Sequence, residues 1–368
     1  DPDMKKFFTV ILGVLLSFSL LSVCACSGGN SGEDPAEKPE FIDGREVVSA
    51  EAVNSFEAVR LLGRTYLNAS KQLSLSNAGT GVEVVFYGTE LKATISPNNL
   101  QYFRVFVDGD REGTRNSTAR KKEVALAQGL EEGVHTVRLV KCTSSQNGDF
   151  SVHSFATDGK FLRHEANRVK IEFVGDSITA GAGVFGVPSD EGSFANSDAA
   201  KGYAYLAARE FDADYSLVAT EGICVKAKNT LNVNMLEMYM RVSSTQGKAY
   251  DFPYEHDIVV IGLGTNDSWY MGAHPEYTVE EFTADYADLL TLVRSKNPSA
   301  QIVCVYGMMG LSPNTEQAIQ NAIADFKDDR VAYSALPARL NGAGQHPSAA
   351  DAVEQSEALI KILKNYID

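Results

Sequence analysis

The chain has 368 residues, 44% of them apolar, which is enough for two or more domains with ordinary cores. A net charge of −15 and an isoelectric point near 4.9 argue against a polyanionic partner such as nucleic acid, because nothing in the chain neutralises phosphates. A neutral or weakly charged substrate fits better.

Met4-Lys5-Lys6 precedes the apolar run FFTVILGVLLSFSLLSV at residues 7–23, the charged and hydrophobic regions of a secretory signal and short for a membrane span. Val23-Cys24-Ala25-Cys26-Ser27-Gly28-Gly29 follows and resembles a bacterial lipoprotein box, with small Ala25 before Cys26. Residues 1–26 are therefore expected to be a lipoprotein signal with Cys26 as the lipidated residue. The mature protein is expected to be secreted and lipid-anchored, in the periplasm or at the surface of a bacterium, with the anchor as its only membrane contact. Residues 27–40, SGGNSGEDPAEKPE, are a flexible tether by composition.

From residue 41 to 165 the pattern has period two. Val82/Val84/Phe86, Leu91/Ala93/Ile95, Phe103/Val105/Val107, Val124/Leu126 and Val137/Leu139 alternate with polar neighbours, and turns fall at Gly79-Thr80-Gly81, Asp108-Gly109-Asp110 and Gln146-Asn147-Gly148. This predicts an all-β jelly-roll sandwich. Over residues 166–368 strand and helix patterns alternate. Strands are expected at Val169–Val174, Tyr215–Ala219, Asp257–Leu263, Gln301–Tyr306 and Arg330–Tyr333, and helices near 198–210, 278–296, 314–326 and 348–366. The expected architecture is α/β, a doubly wound parallel sheet whose ligands sit beyond the carboxyl ends of its strands.

Those ends carry the chemistry. The first strand runs into Gly175-Asp176-Ser177 and then into the small residues of SITAGAG, so a hydroxyl is expected at a strand-to-helix turn, close to free backbone N–H groups. On three residues alone, a plain capping turn is the commoner meaning. The second strand ends in Glu221-Gly222-Ile223 and the third in Gly262-Leu263-Gly264-Thr265-Asn266-Asp267, so three polar blocks converge. A fourth, Gln345-His346-Pro347-Ser348, opens the last helix, where Ser348-x-x-Asp351 reads as a capping box and leaves His346 just outside it. His135, His153, His164, His256 and His274 occur singly and read as ordinary surface or core residues. Asp176 and Asp267 read as turn hydrogen-bonders. Trp269, the only Trp, and Tyr270 follow the third block and are candidates for stacking on a sugar or for packing. Cys142, Cys224 and Cys304 show no zinc-ligand spacing; no metal or cofactor is assigned, one disulfide stays open, and burial as small hydrophobes fits them better.

With these four blocks in order, residues 169–368 resemble the SGNH (GDSL-like) hydrolase superfamily. A sandwich placed before FVGDSITAGAG makes the chain most like carbohydrate esterase family 2. The resemblance implies a serine esterase that removes O-acetyl groups from plant polysaccharides such as xylan or mannan, or from their oligosaccharides. Ser177 would be the nucleophile, His346 the base, and the Ser177 and Gly222 N–H groups with the Asn266 amide the oxyanion hole. The superfamily commonly carries an Asp three residues before the His, and Ala343 stands there instead. The expectation is a dyad, with His346 Nδ1 donating to a main-chain carbonyl of the Asn341–Gln345 loop; Asp351 and Glu354 are the alternative acids. Two other classes stay open: a carbohydrate-binding surface lipoprotein with a vestigial hydrolase domain, and a lipid esterase or thioesterase, which would need an acyl-binding groove.

Overall fold

A computed structural model describes Phe41–Ile42, Glu46–Val47 and residues 58–164, 168–228 and 231–367. The expected signal segment, Cys26 and the tether lie outside the described residues.

The first part is an antiparallel two-sheet sandwich. One sheet runs in the order Phe41–Ile42, Lys160–Leu162, Gly81–Gly88, Gly133–Lys141, Gln101–Val107, Thr114–Thr118, with Val59–Leu62 also paired to Gly81–Gly88. The other runs Lys122–Ala127, Leu91–Pro97, Phe150–Thr157, Leu73–Leu75, Thr65–Leu67, with Glu46–Val47 on the side of Phe150–Thr157. Alternation does the sorting: Val82, Val84 and Phe86 from one sheet and Leu91, Ala93 and Ile95 from the other are at most 1% exposed and share one core.

The second part is a five-stranded parallel sheet in the order Asp214–Ala219, Lys170–Gly175, Ile258–Gly262, Gln301–Tyr306, Val331–Ala335. Helices Tyr203–Glu210, Val279–Lys296, Pro313–Phe326 and Ala349–Leu363 cover it, and every residue of Ile258–Gly262 is buried, as expected of a strand with helices on both faces. In chain order the sheet reads second, first, third, fourth, fifth. Its direction of winding reverses at the first strand, the position at which open α/β sheets bind their ligands, beyond the strands' carboxyl ends.

The two parts share one interior. Leu62, Ala78, Phe106 and Val140 of the sandwich belong to the same buried cluster as Ile171, Phe173, Tyr205 and Leu217, and the Phe106 and Tyr205 rings stack with centroids 5.8 Å apart. Tyr215 donates its hydroxyl to the Gly79 carbonyl at 2.7 Å, and Arg104 Nη2 meets Asp198 Oδ2 at 2.6 Å, both buried.

Two helices depart from the sequence expectation. Met235–Tyr239, MLEMY, is only five residues long, too short for a helical period to show, and Thr265–Ala273 has its apolar residues crowded into its second half with no stripe; Asp267 is the buried residue of the second. The stretch after Ser177 is not a helix either. It is a run of turns through Gly183, because Gly181 and Gly183 sit at φ +71° and +68°, in the left-handed region where a right-handed helix cannot continue.

Candidate active site

Register brings the first three blocks level. Gly175 pairs with Ala219 on one side and with Gly262 on the other, so Ser177, Glu221 and Gly264 each stand two residues past aligned positions on adjacent strands. Ser177 is 7% exposed and leaves the strand through Asp176, whose Oδ1 accepts the Ile178 N–H at 3.0 Å. The small residues behind it allow the fourth block to dock. A Cβ on Gly183 would lie 2.4 Å from the Ala343 carbonyl oxygen and 2.8 Å from His346 Cβ, and the Ala343 N–H donates to the Gly183 carbonyl at 2.8 Å. That backbone-to-backbone contact seats the His346 loop against the Ser177 turns.

His346 Nε2 lies 2.9 Å from Ser177 Oγ, and its Nδ1 lies 3.3 Å from the Ala343 carbonyl oxygen. These partners assign the tautomer: Nδ1–H donates to the carbonyl, and Nε2 is free to accept the serine proton. The carbonyl points back at the ring because Ala343–Gln345 forms a tight turn with Gly344 and Gln345 both at φ +61°. Neither Asp351 nor Glu354 replaces it. Asp351 closes the capping box with Ser348 and accepts from Asn341 Nδ2 at 2.9 Å, and Glu354 holds Arg339 through both oxygens, at 2.9 and 2.6 Å. Burial pushes the imidazole below its ordinary value, partly offset by the Ala343 carbonyl, by the Glu221 carboxylate and by the Gly344 backbone.

Asn266 rides on the first turn of the helix Thr265–Ala273, after Gly264 at φ +116°. Its Nδ2 donates to the Ile223 carbonyl at 3.1 Å and faces Asp176 Oδ2 at 3.4 Å, so its amide ties the second block to the first. The second contact is long, which leaves that hydrogen available to a better acceptor. Gly222, at φ +75°, sits between Glu221 and Ile223 in the same cluster. Asp267 accepts the Val225 N–H at 2.9 Å. Asp176 and Asp267 are both pushed up to about 7, first by burial and then by neighbouring carboxylates, against the pull of turn amides.

Trp269 is 74% exposed, one helical turn beyond Asn266. Tyr270 is engaged within the protein: it stacks on His274 with centroids 4.1 Å apart and meets Tyr277 edge-on at 5.6 Å. Cys142, Cys224 and Cys304 are free and buried. Glu221 was legible as part of the second block, but its partners Ser144 and Gln146 in the sandwich were not, because their pairing joins residues far apart in the chain.

Comparison with known proteins agrees with this geometry. Residues 61–164 match the carbohydrate esterase 2 N-terminal family, and residues 173–352 match the GDSL-like lipase/acylhydrolase family. The chain is 31% identical over 309 residues to the cellulase/esterase CelE of Acetivibrio thermocellus, covering 78% of this chain but only 37% of that protein, so it spans little more than a third of that relative. It is 26% identical over 291 residues to an acetylxylan esterase / glucomannan deacetylase of Cellvibrio japonicus, covering 73% of this chain and 79% of the relative. A family two carbohydrate esterase from Clostridium thermocellum, solved in complex with cellohexaose, superposes with a TM-score of 0.77 at 28% identity over 83% of this chain and 98% of that one. Residues 173–352 thus belong to the GDSL-like (SGNH) hydrolases, and the chain is built as the family 2 carbohydrate esterases are, with an N-terminal sandwich domain fused to the hydrolase domain.

Proposed function

We propose that the protein is a serine esterase that removes O-acetyl groups from xylan- or mannan-type plant polysaccharides or their oligosaccharides. The observation that carries the reading is the contact of Ser177 Oγ with His346 Nε2 at 2.9 Å, backed by the Ala343 carbonyl on Nδ1. His346 takes the Ser177 proton as Oγ attacks the acetyl carbonyl. The oxyanion is met by the Ser177 and Gly222 N–H groups and by Asn266 Nδ2. Collapse returns the proton to the departing sugar oxygen and leaves acetyl-Ser177, which a water activated by the same imidazole hydrolyses. Asn266 suits this task as a neutral donor, because no charge has to be desolvated. Trp269, exposed beyond Asn266, is the surface on which a sugar ring would stack. The names of the relatives support a carbohydrate ester as substrate.

The test is acetate release across acetylated xylan, acetylated glucomannan and acetylated simple sugars, with p-nitrophenyl acetate and octanoate alongside. Release from a polysaccharide well above that from the octanoate supports the reading. No turnover of any ester points to a vestigial hydrolase on a binding protein, and a preference for octanoate to a lipid esterase or thioesterase.

The same geometry predicts a dyad. Asp351→Ala and Glu354→Ala are expected to change kcat/KM less than about threefold, whereas removing the orienting acid of a full triad costs on the order of 10⁴ in kcat. Asp351→Ala should cost about 1 kcal/mol of stability through its cap. A collapse of activity in either variant that still folds would show that its carboxylate reaches the imidazole during turnover.

A pH profile tests the base. Since His346 titrates below its usual 6.5 and works only when neutral, kcat/KM should rise with pH through an inflection below 6.5 and be level above it. Glu221→Gln should move that inflection lower still, because a nearby negative charge favours the imidazolium. An inflection near 7 that disappears in Asp176→Asn would assign the acid limb to Asp176 instead.

The N-terminal expectation extends the proposal: a chain processed before Cys26 and acylated there would hold the enzyme at a membrane surface through its tether. Intact-mass measurement of the protein secreted from a bacterial host decides it, and an unmodified N-terminus cut elsewhere sinks it.

A further inference from the structure

The proposed oxyanion hole contains one donor, the Gly222 N–H, whose own peptide carbonyl is held from outside its domain. Thr220–Ile223 belongs to no helix or strand, and Gly222 at φ +75° can turn its peptide planes at little cost. The peptide joining Glu221 to Gly222 is planar and trans, so its carbonyl and its N–H point in opposite directions. Whatever holds the Glu221 carbonyl therefore sets the direction of the Gly222 N–H.

That carbonyl is held from the sandwich. Gln146 Nε2 donates to the Glu221 carbonyl oxygen at 2.8 Å and to Thr220 Oγ1 at 3.0 Å, using both hydrogens of its amide on the one turn. Neighbouring residues reinforce the grip: Ser144 Oγ donates to the Glu221 carboxylate, and Ser145 Oγ lies 2.6 Å from Ser244 Oγ. The loop that presents Gln146 is itself fixed. Fully buried Lys141 donates to the Thr143 carbonyl and, at 2.9 Å, to the Ser144 carbonyl, and Asn147 Nδ2 donates to the Leu100 carbonyl at 3.0 Å.

We propose that Gln146 is a positioning residue for the esterase reaction, through which the sandwich holds the Glu221–Gly222 peptide with its N–H directed at the oxyanion. The inference rests on the reading of Gly222 as an oxyanion donor. A donor fixed before reaction stabilises the transition state without reorganising, and a hydrogen bond to the carbonyl of a peptide polarises its N–H in the same sense. The sandwich is then part of the catalytic apparatus, whatever it also binds.

The experiment compares Gln146→Ala and Gln146→Glu with Asn266→Ala in the full chain, using p-nitrophenyl acetate and a boronic acid as tetrahedral mimic. Gln146→Glu keeps the shape but has no N–H to donate. Gln146 is exposed, so both variants should keep the parent melting temperature. The expected result is a fall in kcat of about fivefold to tenfold with KM unchanged, the typical weight of one hydrogen bond, and an equal loss of boronic acid affinity. Asn266→Ala should lose about 10²–10³ in kcat. If Asn266→Ala collapses while both Gln146 variants keep the parent kcat, the positioning role is overturned and the oxyanion hole stands. If Asn266→Ala stays within a few-fold of the parent, the oxyanion reading fails and this inference with it. A rise in KM at unchanged kcat would make Gln146 a substrate contact and also overturn it.

Discussion

Ser177→Ala is expected to lower kcat for p-nitrophenyl acetate by roughly 10⁴–10⁶-fold, the range found when a serine nucleophile acting with a histidine is removed. The alanine leaves the Ser177 N–H, Gly222 and Asn266 in place, so any residual rate should reflect oxyanion stabilisation and binding alone. Folding should be nearly untouched. Ser177 is 7% exposed and its side chain makes one contact in the site, to His346, so the loss is expected to be about 1 kcal/mol or less. Because nucleophile and base act as one unit, Ser177→Ala with His346→Ala should be hardly worse than either alone. Wild-type protein quenched during turnover should carry acetyl on Ser177, visible by intact mass, and the alanine variant none. Activity within tenfold of wild type, or a double variant whose losses multiply, would place the nucleophile elsewhere.

The reason this site could be read before the fold is that its chemistry sits at the ends of buried strands. Gln301–Tyr306 was legible to the residue because a strand covered on both faces is a continuous apolar run, and the runs around it marked where each polar block must emerge. His346 was legible because a capping box fixed the start of the next helix. A main-chain carbonyl of the Asn341–Gln345 loop was expected because the Ala343 side chain cannot accept a hydrogen bond; that it is the carbonyl of Ala343 was not legible. Thr114–Thr118, TRNST, was not legible: it is an edge strand paired on one side, with only Thr118 buried and no apolar alternation. The helix under Asn266 was hidden for a related reason, since TNDSWYMGA has no apolar stripe and its start is set by the backbone of Gly264. The contacts between the two parts lie furthest from what a sequence shows. Gln146 and Glu221 are 75 residues apart, and Arg64 and Glu172 are 108 apart.

That last pair carries the largest expected effect on stability. Glu172 sits in the first parallel strand, between Ile171 and Phe173, where an apolar residue would be expected, and its side chain and that of Arg64 are both 0% exposed. Arg64 reaches it from the sandwich. Its Nη2 donates to Glu172 Oε1 at 2.9 Å and its Nη1 to the Tyr239 carbonyl at 2.6 Å and the Arg241 carbonyl at 2.9 Å, while the guanidinium lies over the rings of Tyr239, Tyr250 and Phe252 at 5.0, 4.2 and 5.0 Å. Tyr239 donates its hydroxyl to Glu172 Oε2 at 2.8 Å. Burial alone would raise the Glu172 carboxyl, but Arg64, His256 and Tyr239 together hold it below its ordinary value. Arg64→Met should therefore cost about 3–5 kcal/mol, because it strands a carboxylate in the interior, and lower the melting temperature by on the order of 10 °C. Replacing both partners, Arg64→Met with Glu172→Leu, should recover most of that loss, since a buried pair is worth little more than apolar packing of similar volume. The sign with pH follows from the depressed carboxyl: its contribution is complete above the unfolded value of about 4.3 and is lost as pH falls through the lower folded value. In Arg64→Met burial is left without its main opponent, so the stranded carboxylate should take up a proton and the variant should gain stability relative to wild type on acidification. A melting temperature within 2 °C of wild type at pH 7 for the single variant, or a double variant no better than the single, would show that the stack of Tyr239, Tyr250 and Phe252, and not the ion pair, joins the sandwich to the sheet.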